Sequence, residues 1–323
     1  MFLEKTKKLK VTPMVDFKNT NIRLLCINLF LLVTGFLLSD PLHWFESTYE
    51  KSPRFIKSGT KSDIVAIKIT ASPDNIIELK KTESGWSVIG SGQQKDYPGD
   101  NSRIEGALER LFEMRKYYEV SANAEKYAEF EVSDNDLQIE LKSAAKTYSF
   151  ILGKQGSAYN TSMVREKAEK TVYSVRGNLK SEWNQNLDYF RNKRLVHINR
   201  ENINEVTISG PVMIHLKSGE KNSWSLEQGR EFLETNPSRV NRLIDDISLL
   251  EGIEFHYLPQ NGFVYGNIKI LLKSNTILNI EINRIGNEYI IKSDQNPFWQ
   301  KIPEFRIKSI FPELKEIQPG NAR

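Results

Sequence analysis

Few residues in this 323-residue chain have the type and spacing that chemistry needs. Gly90-Ser91-Gly92-Gln93-Gln94-Lys95 begins like a glycine loop that cradles phosphate on backbone N–H groups. The third glycine is missing and no helix opens directly after it, so the stretch reads as a hairpin loop. Asp134-Asn135-Asp136 could set two carboxylates beside a metal or a sugar. The same residues are ordinary turn formers ahead of a strand at Leu137–Leu141. The histidines, His43, His197, His215 and His256, lack ligand spacing, and His215 falls in an alternating strand pattern. No serine sits in a nucleophile elbow. The single cysteine, Cys26, lies in an apolar run, which leaves the folded part without a thiol nucleophile, disulfide or thiolate metal site. The reading is a protein with no catalytic residues, no cofactor and no metal.

Two weaker candidates concern binding. Arg191, Lys193 and Arg194 form a short basic cluster after Leu187-Asp-Tyr-Phe190. It reads as a solvated helix end or as a surface for an anionic partner. Trp86, Trp224 and Trp299 could stack on glycans, but aromatics on strands more often fill a core, and the recurrence of Trp86 as Trp224 favours the core.

Charge narrows the class of partner. The formal net charge is +4, and residues 1–23 account for all of it: Lys5, Lys7, Lys8, Lys10, Lys18 and Arg23 stand against Glu4 and Asp16. The remainder is neutral. A nucleic-acid binder carries its basic excess in the folded part, where phosphates are neutralised, so nucleic acid is excluded as a partner.

Behind the basic tail, Leu24 to Leu38 reads LLCINLFLLVTGFLL without a charge. Extended to 22–45, the run reaches spanning length, with Arg23 and Asp40 near its ends and Trp44-Phe45 as an interfacial anchor. The expectation is a single transmembrane anchor. Its apolar surface is supplied by Leu24, Leu25, Ile27, Leu29, Phe30, Leu31, Leu32, Val33, Phe36, Leu37 and Leu38. The positive-inside rule puts the N-terminus in the cytoplasm and the rest outside the cytoplasmic membrane. A cleaved signal and a buried core helix are the competing readings, the first weakened by the absence of a small-x-small pair near Ser39.

The remainder repeats itself. Strands at 64–69, 76–81 and 85–89 lead to a helix from about Arg103 to Tyr118, then strands at 137–141, 147–152, 162–165 and 171–175. A similar order follows: strands at 206–208, 212–217 and 224–226, a helix over 238–250, then strands at 268–273, 276–282 and 288–292. Leu108 and Leu111 of the first helix stand in the same relation as Ile244 and Ile247 of the second. The fold class is α+β, two tandem repeats of mostly antiparallel sheet packed by a helix, preceded by the transmembrane helix. The domains are a cytoplasmic tail 1–21, an anchor 22–45, a polar linker 46–62, a first repeat 63–200, a second repeat 201–318 and a tail 319–323.

The stretch Leu152-Gly153-Lys154, Met163-Val164-Arg165, Val172-Tyr173-Ser174-Val175 and Phe190-Arg191-Asn192-Lys193-Arg194-Leu195 resembles the bacterial family called domain of unknown function 4340. One departure is Phe130-Glu131-Val132, where the family tends to have an aromatic-Gly-Leu turn. The resemblance implies a single-anchor membrane protein with extracytoplasmic repeats, often encoded beside the gliding-motility auxiliary proteins of an ABC-type system. It implies no activity. The function expected is a non-enzymatic, membrane-anchored accessory or scaffold protein working with a membrane-protein complex. The alternatives are an envelope module that binds glycan or peptide and, further off, a hydrolase.

Overall fold

The computed structural model describes residues 20–38 and 51–319, apart from 58, 94, 221–222 and 257–261. The basic tail, residues 39–50 with Asp40, His43, Trp44 and Phe45, and the tail beyond 319 lie outside the described residues, as do the side chains of Leu37 and Leu38.

After helix α1 (Thr20–Leu38), the first unit contributes β1 (Ile64–Ser72), β2 (Asn75–Thr82), β3 (Gly85–Gly90), β4 (Tyr97–Pro98), α2 (Asn101–Glu113) and β5 (Tyr118–Ser121). There follow α3 (Tyr127–Phe130), β6 (Gln138–Ser143), β7 (Thr147–Gln155), β8 (Thr161–Glu166), β9 (Val172–Arg176), α4 (Leu179–Trp183) and α5 (Leu187–Phe190). The second unit runs β10 (Ile203–Ser209), β11 (Met213–Ser218), β12 (Trp224–Gln228), β13 (Glu231–Glu234), α6 (Pro237–Ser248) and β14 (Glu254–Phe255). It closes with β15 (Phe263–Leu272), β16 (Ile277–Ile285), β17 (Glu288–Ser293), β18 (Gln300–Ile302), α7 (Glu304–Ile310) and α8 (Leu314–Ile317).

Each unit is one nine-stranded sheet, and the two orders are the same position by position: β4-β3-β2-β1-β6-β7-β8-β9-β5 and β13-β12-β11-β10-β15-β16-β17-β18-β14. All of these strand pairings are antiparallel. The architecture is α+β with two sheet units. Details repeat as well. The register of β1 on β6 slips between Ile64 and Ala66, and that of β10 on β15 between Ile203 and Glu205. The bulge explains a departure from plain alternation: Ile64 turns inward, 1% exposed, while Val65 turns outward at 44%.

One amphipathic helix covers each sheet. Ile104, Ala107, Leu108 and Leu111 of α2 enter the first core, and Val240, Leu243, Ile244 and Ile247 of α6 enter the second. Asp100 caps α2 by accepting from Arg103 N at 3.1 Å, and Asn236 caps α6 from Arg239 N at 3.3 Å. α2 stops at Glu113, short of the Tyr118 expected from its apolar spacing. Phe55 N donates to Met114 O at 2.8 Å and Tyr117 N to Ser174 O at 3.1 Å, so strand pairing takes over the backbone groups that another helical turn would need.

Those pairings also change the linker. Residues 46–62 read as polar spacer, yet Phe55 and Ile56 are buried in the first core and Arg54 bridges to Arg115. At the other boundary, Phe190 is in the first core and Leu195 and Val196 are in the second. The crossover therefore occupies 191–194, ahead of residue 200. The strands of two to four residues, β4, β5, β13, β14 and β18, carry too little pattern to be read in advance.

Candidate functional site

Among the described residues, the surface of α1 and the joint between the units are not explained by core packing alone. On α1, Leu25, Phe30 and Leu32 are 70%, 69% and 72% exposed, and Leu24, Ile27, Leu29, Leu31, Val33 and Phe36 are exposed too. The run Leu29–Val33 is apolar without a break. At about 100° per residue, five consecutive positions go all the way round the helix, so its apolar surface is no stripe that one neighbour could cover. Among the described residues no helix is long and apolar enough to cross a membrane. The described side chains of α1 span 22–36, about 22 Å of rise against a hydrocarbon core of about 30 Å.

At the joint the basic cluster comes apart. Arg191 is 4% exposed. Its Nη1 donates to Asp188 Oδ1 at 2.8 Å and its Nη2 to Gln93 Oε1 at 2.6 Å. The guanidinium lies 3.7 Å from the centre of the Tyr97 ring and 5.1 Å from that of Phe255. Tyr97 belongs to β4 of the first sheet and Phe255 to β14 of the second, and these rings meet edge to face at 5.1 Å. Phe298 tilts against Tyr97 at 4.3 Å. Arg191 is thus the pin between the two sheet edges. Lys193 Nζ donates to Ile253 O at 2.8 Å, and the mostly exposed Arg194 pairs with Glu251 at 3.3 Å. The three cations turn to their own chain and do not form one surface.

The remaining joint contacts hold the crossover backbone. Asn296 Nδ2 donates to Asn192 O at 2.9 Å and Arg194 O at 3.1 Å, and Ser293 Oγ donates to Leu195 O. Nothing in the sequence pointed to Tyr97, Phe255, Phe298 or Asn296, because their partners lie far away in the chain. Gln93 was in view only as part of the glycine loop. That loop is a turn whose Gln93 meets Arg191, and no helix opens from it.

Other candidates resolve into structure. Asp136 Oδ2 accepts from Ser133 N at 2.7 Å and closes a turn; Asp134 pairs with the buried Arg165 at 2.7 Å. His215 Nδ1 lies 2.7 Å from Glu227, while Glu205 is 3.5 Å from its other nitrogen. The carboxylates flank opposite ring nitrogens, so one ion could not use all three groups. Among the described residues no group of His, Cys, Asp or Glu could hold a metal. His197 is exposed and His256 half-buried, with no shared site. Trp86 is 4% exposed, its Nε1 bonded to Glu105 at 2.8 Å; Trp224 is half-buried against the second core, and Trp299 is 6% exposed beneath Lys292. A hydrogen bond from Arg110 to Glu182 raises the arginine's pKa above its ordinary value and ties α2 to α4. That bond is structural.

No curated protein and no solved structure matches the chain. The family model described as Domain of unknown function (DUF4340) matches residues 91–261, just over half of the chain. The match starts in the turn after β3, crosses the joint and ends ahead of β15.

Proposed function

The chain belongs to the family of the domain of unknown function DUF4340, and on that premise we propose that it is a membrane-anchored scaffold whose two sheet units stand on the extracytoplasmic side. The observation that carries this is α1, apolar and exposed all the way round, preceded by a basic tail and followed by a neutral body. Among the described residues after α1, Ser52 is the first whose backbone is held by the body: its carbonyl accepts from Arg115 Nη1 at 2.8 Å. The chain from the end of α1 to Ser52 covers residues 39–51 and reaches at most about 45 Å when fully extended. The tether therefore holds the body beside the bilayer, where a partner in the same membrane meets it at raised effective concentration. The reading is non-enzymatic: Asp134, Asp136, His215, Arg191, Lys193 and Arg194 are each held by structural partners. Work with an ABC-type complex follows from the family resemblance.

Membrane extraction at high pH tests the anchor. Full-length protein stays in the pellet, and Leu29→Arg with Leu32→Arg releases it, since each mid-span arginine costs about 2.5–3.5 kcal/mol on insertion scales. Protease added to the outside of spheroplasts then removes epitopes in 64–317. Release of the unaltered chain, or protection of those epitopes, overturns the proposal.

A further inference from the structure

Each unit receives its incoming chain in the same way. In the first, Phe55 N donates to Met114 O at 2.8 Å and Lys116 N to Pro53 O at 2.9 Å. In the second, Leu195 N donates to Leu250 O at 2.8 Å and Gly252 N to Lys193 O at 3.0 Å. Lys116 and Gly252 therefore hold the same place. Val164 faces Tyr173 as Ile291 faces Gln300. The turn after β8 closes from Glu169 N to Glu166 O at 2.8 Å, and the turn after β17 from Asn296 N to Ser293 O at 3.2 Å.

In the first unit these places make a charged contact. Lys116 Nζ pairs with Glu169 at 3.0 Å and lies 4.4 Å from the centre of the Tyr173 ring and 4.9 Å from that of Phe55. In the second unit the lysine has become Gly252, the glutamate Asn296 and the tyrosine Gln300. Both charges go together, so neither is left buried alone. Volume goes as well: glycine replaces the lysine stem, and glutamine and leucine stand where Tyr173 and Phe55 present rings. What remains is polar and buried, with Gln300 0% and Asn296 1% exposed. Gln300 packs against Gly252, where a Cβ would overlap its Oε1. Asn296 Nδ2 donates to Asn192 O and Arg194 O, on either side of the Lys193 carbonyl that Gly252 holds. Asn296 Oδ1 and both amide atoms of Gln300 have no hydrogen-bonding partner among the described residues. Such groups give up their hydration and gain nothing for it unless a small polar molecule joins them.

We propose that enclosed water takes the place of the Lys116 ammonium in the second unit, held by Asn296 Oδ1 and the Gln300 amide. Water both donates and accepts, which suits two carbonyl oxygens beside an N–H. A cation does not suit them: the carboxylate that balances the ammonium in the first unit is an amide here, and Gln300 Nε2 offers a donor. The cations of the joint have partners of their own, Arg191 with Asp188, Lys193 with Ile253 O and Arg194 with Glu251. The incoming strand of the first unit is thus fastened beside an ion pair of the chain itself. That of the second is fastened by an amide that water keeps in place.

The test is a crystal structure of the full chain in detergent, at a resolution that shows ordered water. Density separate from the protein is expected within about 2.7–3.2 Å of Asn296 Oδ1 and of the Gln300 amide. The variant Gly252→Lys with Asn296→Glu and Gln300→Tyr copies the first unit, and in it the lysine ammonium replaces that density. Should this variant fail to fold, Gln300→Met serves instead: it keeps the length of the side chain without its amide and loses the density beside residue 300. A Gln300 amide turned onto a protein partner, with no separate density, overturns the proposal. So does an anomalous peak at this place in crystals grown with rubidium chloride, because the occupant is then a monovalent cation.

Discussion

Replacing Arg191 by methionine removes the guanidinium from the joint and keeps most of the stem that packs between Tyr97 and Phe255. Two charge-assisted hydrogen bonds are lost, to Asp188 and Gln93, each contributing about 1.5–3 kcal/mol. The stacking on Tyr97 contributes up to about 2 kcal/mol more. Two effects offset part of this. A methionine has no desolvation cost, and Asp188, 23% exposed, can take up water while keeping a long contact to Phe255 N at 3.4 Å. The net loss is therefore about 2–4 kcal/mol, below the upper range for breaking a fully buried pair. Its location matters more than its size. Arg191 bonds within the first unit and stacks on both, so the loss falls on the coupling between them. Urea unfolding followed by hydrogen exchange should give coincident midpoints for 64–190 and 195–317 in the unaltered chain and separate midpoints in Arg191→Met. Arg191→Lys should resemble the methionine variant, because an ammonium cannot fork between Asp188 and Gln93. A change below about 0.5 kcal/mol, within the range of ordinary surface substitutions, with midpoints still coincident would refute the assignment of Arg191 as the pin.

Further outcomes follow from single contacts. Glu131 sits in the left-handed region (φ 56°, ψ 43°) and pairs with Lys180 at 2.5 Å; Glu131→Gly should be about 1 kcal/mol more stable than Glu131→Ala in chemical denaturation, since both lose the pair but only glycine sheds the strain. Trp86→Ala should destabilise the chain by about 3–5 kcal/mol, and Trp224→Ala by less, because Trp86 is 4% exposed and Trp224 half-buried. Glu316 has its pKa lowered, first by the hydrogen bond from Arg239 at 2.8 Å. A depressed carboxylate contributes stability above its unfolded pKa and loses it as pH falls through the folded one. The melting-temperature gap between the unaltered chain and Glu316→Gln should then be constant near neutrality and close in acid. A gap that widens in acid contradicts the pairing.

The order of strands and helices was legible because period-two runs such as 64–69 and the helical stripes at Leu108–Leu111 and Ile244–Ile247 are local signals. The short edge strands and the burial of Phe55 and Ile56 were not, since a polar stretch with two apolar residues has no period, and its pairing with Met114 is a tertiary event. The basic cluster misled for a related cause. Its charge pattern suits a solvated surface, and only the fold brings Tyr97, Gln93 and Phe255 around Arg191. The departure at Phe130-Glu131-Val132 has a backbone counterpart: Glu131 has a positive φ of 56°, a place that suits glycine.

The copies differ most in what lies on the face of each sheet away from its helix. In the first unit, residues 122–137 between β5 and β6 fold over that face. Phe130 and Val132 form a small core there with Ile151, Met163 and Val172, and Arg165 holds the turn through Val132 O at 3.0 Å and Asp134. Gly153 makes this possible, because a Cβ there would lie 2.6 Å from Val132 Cγ1 and still closer to Phe130 O. In the second unit β14 and β15 are joined by 256–262, fewer than half as many residues. Where Ile151 faces Arg165 in the first unit, Glu281 faces Lys292 and pairs with it at 2.9 Å. At this pair an apolar residue under a cover has become a charged one, while Ile290 and Trp299 stay buried beside it. The stretches that carry the family resemblance, around Gly153, Arg165, Val172 and Phe190–Leu195, thus build the cover and the joint. They specify how two copies of one sheet are finished differently and fastened together.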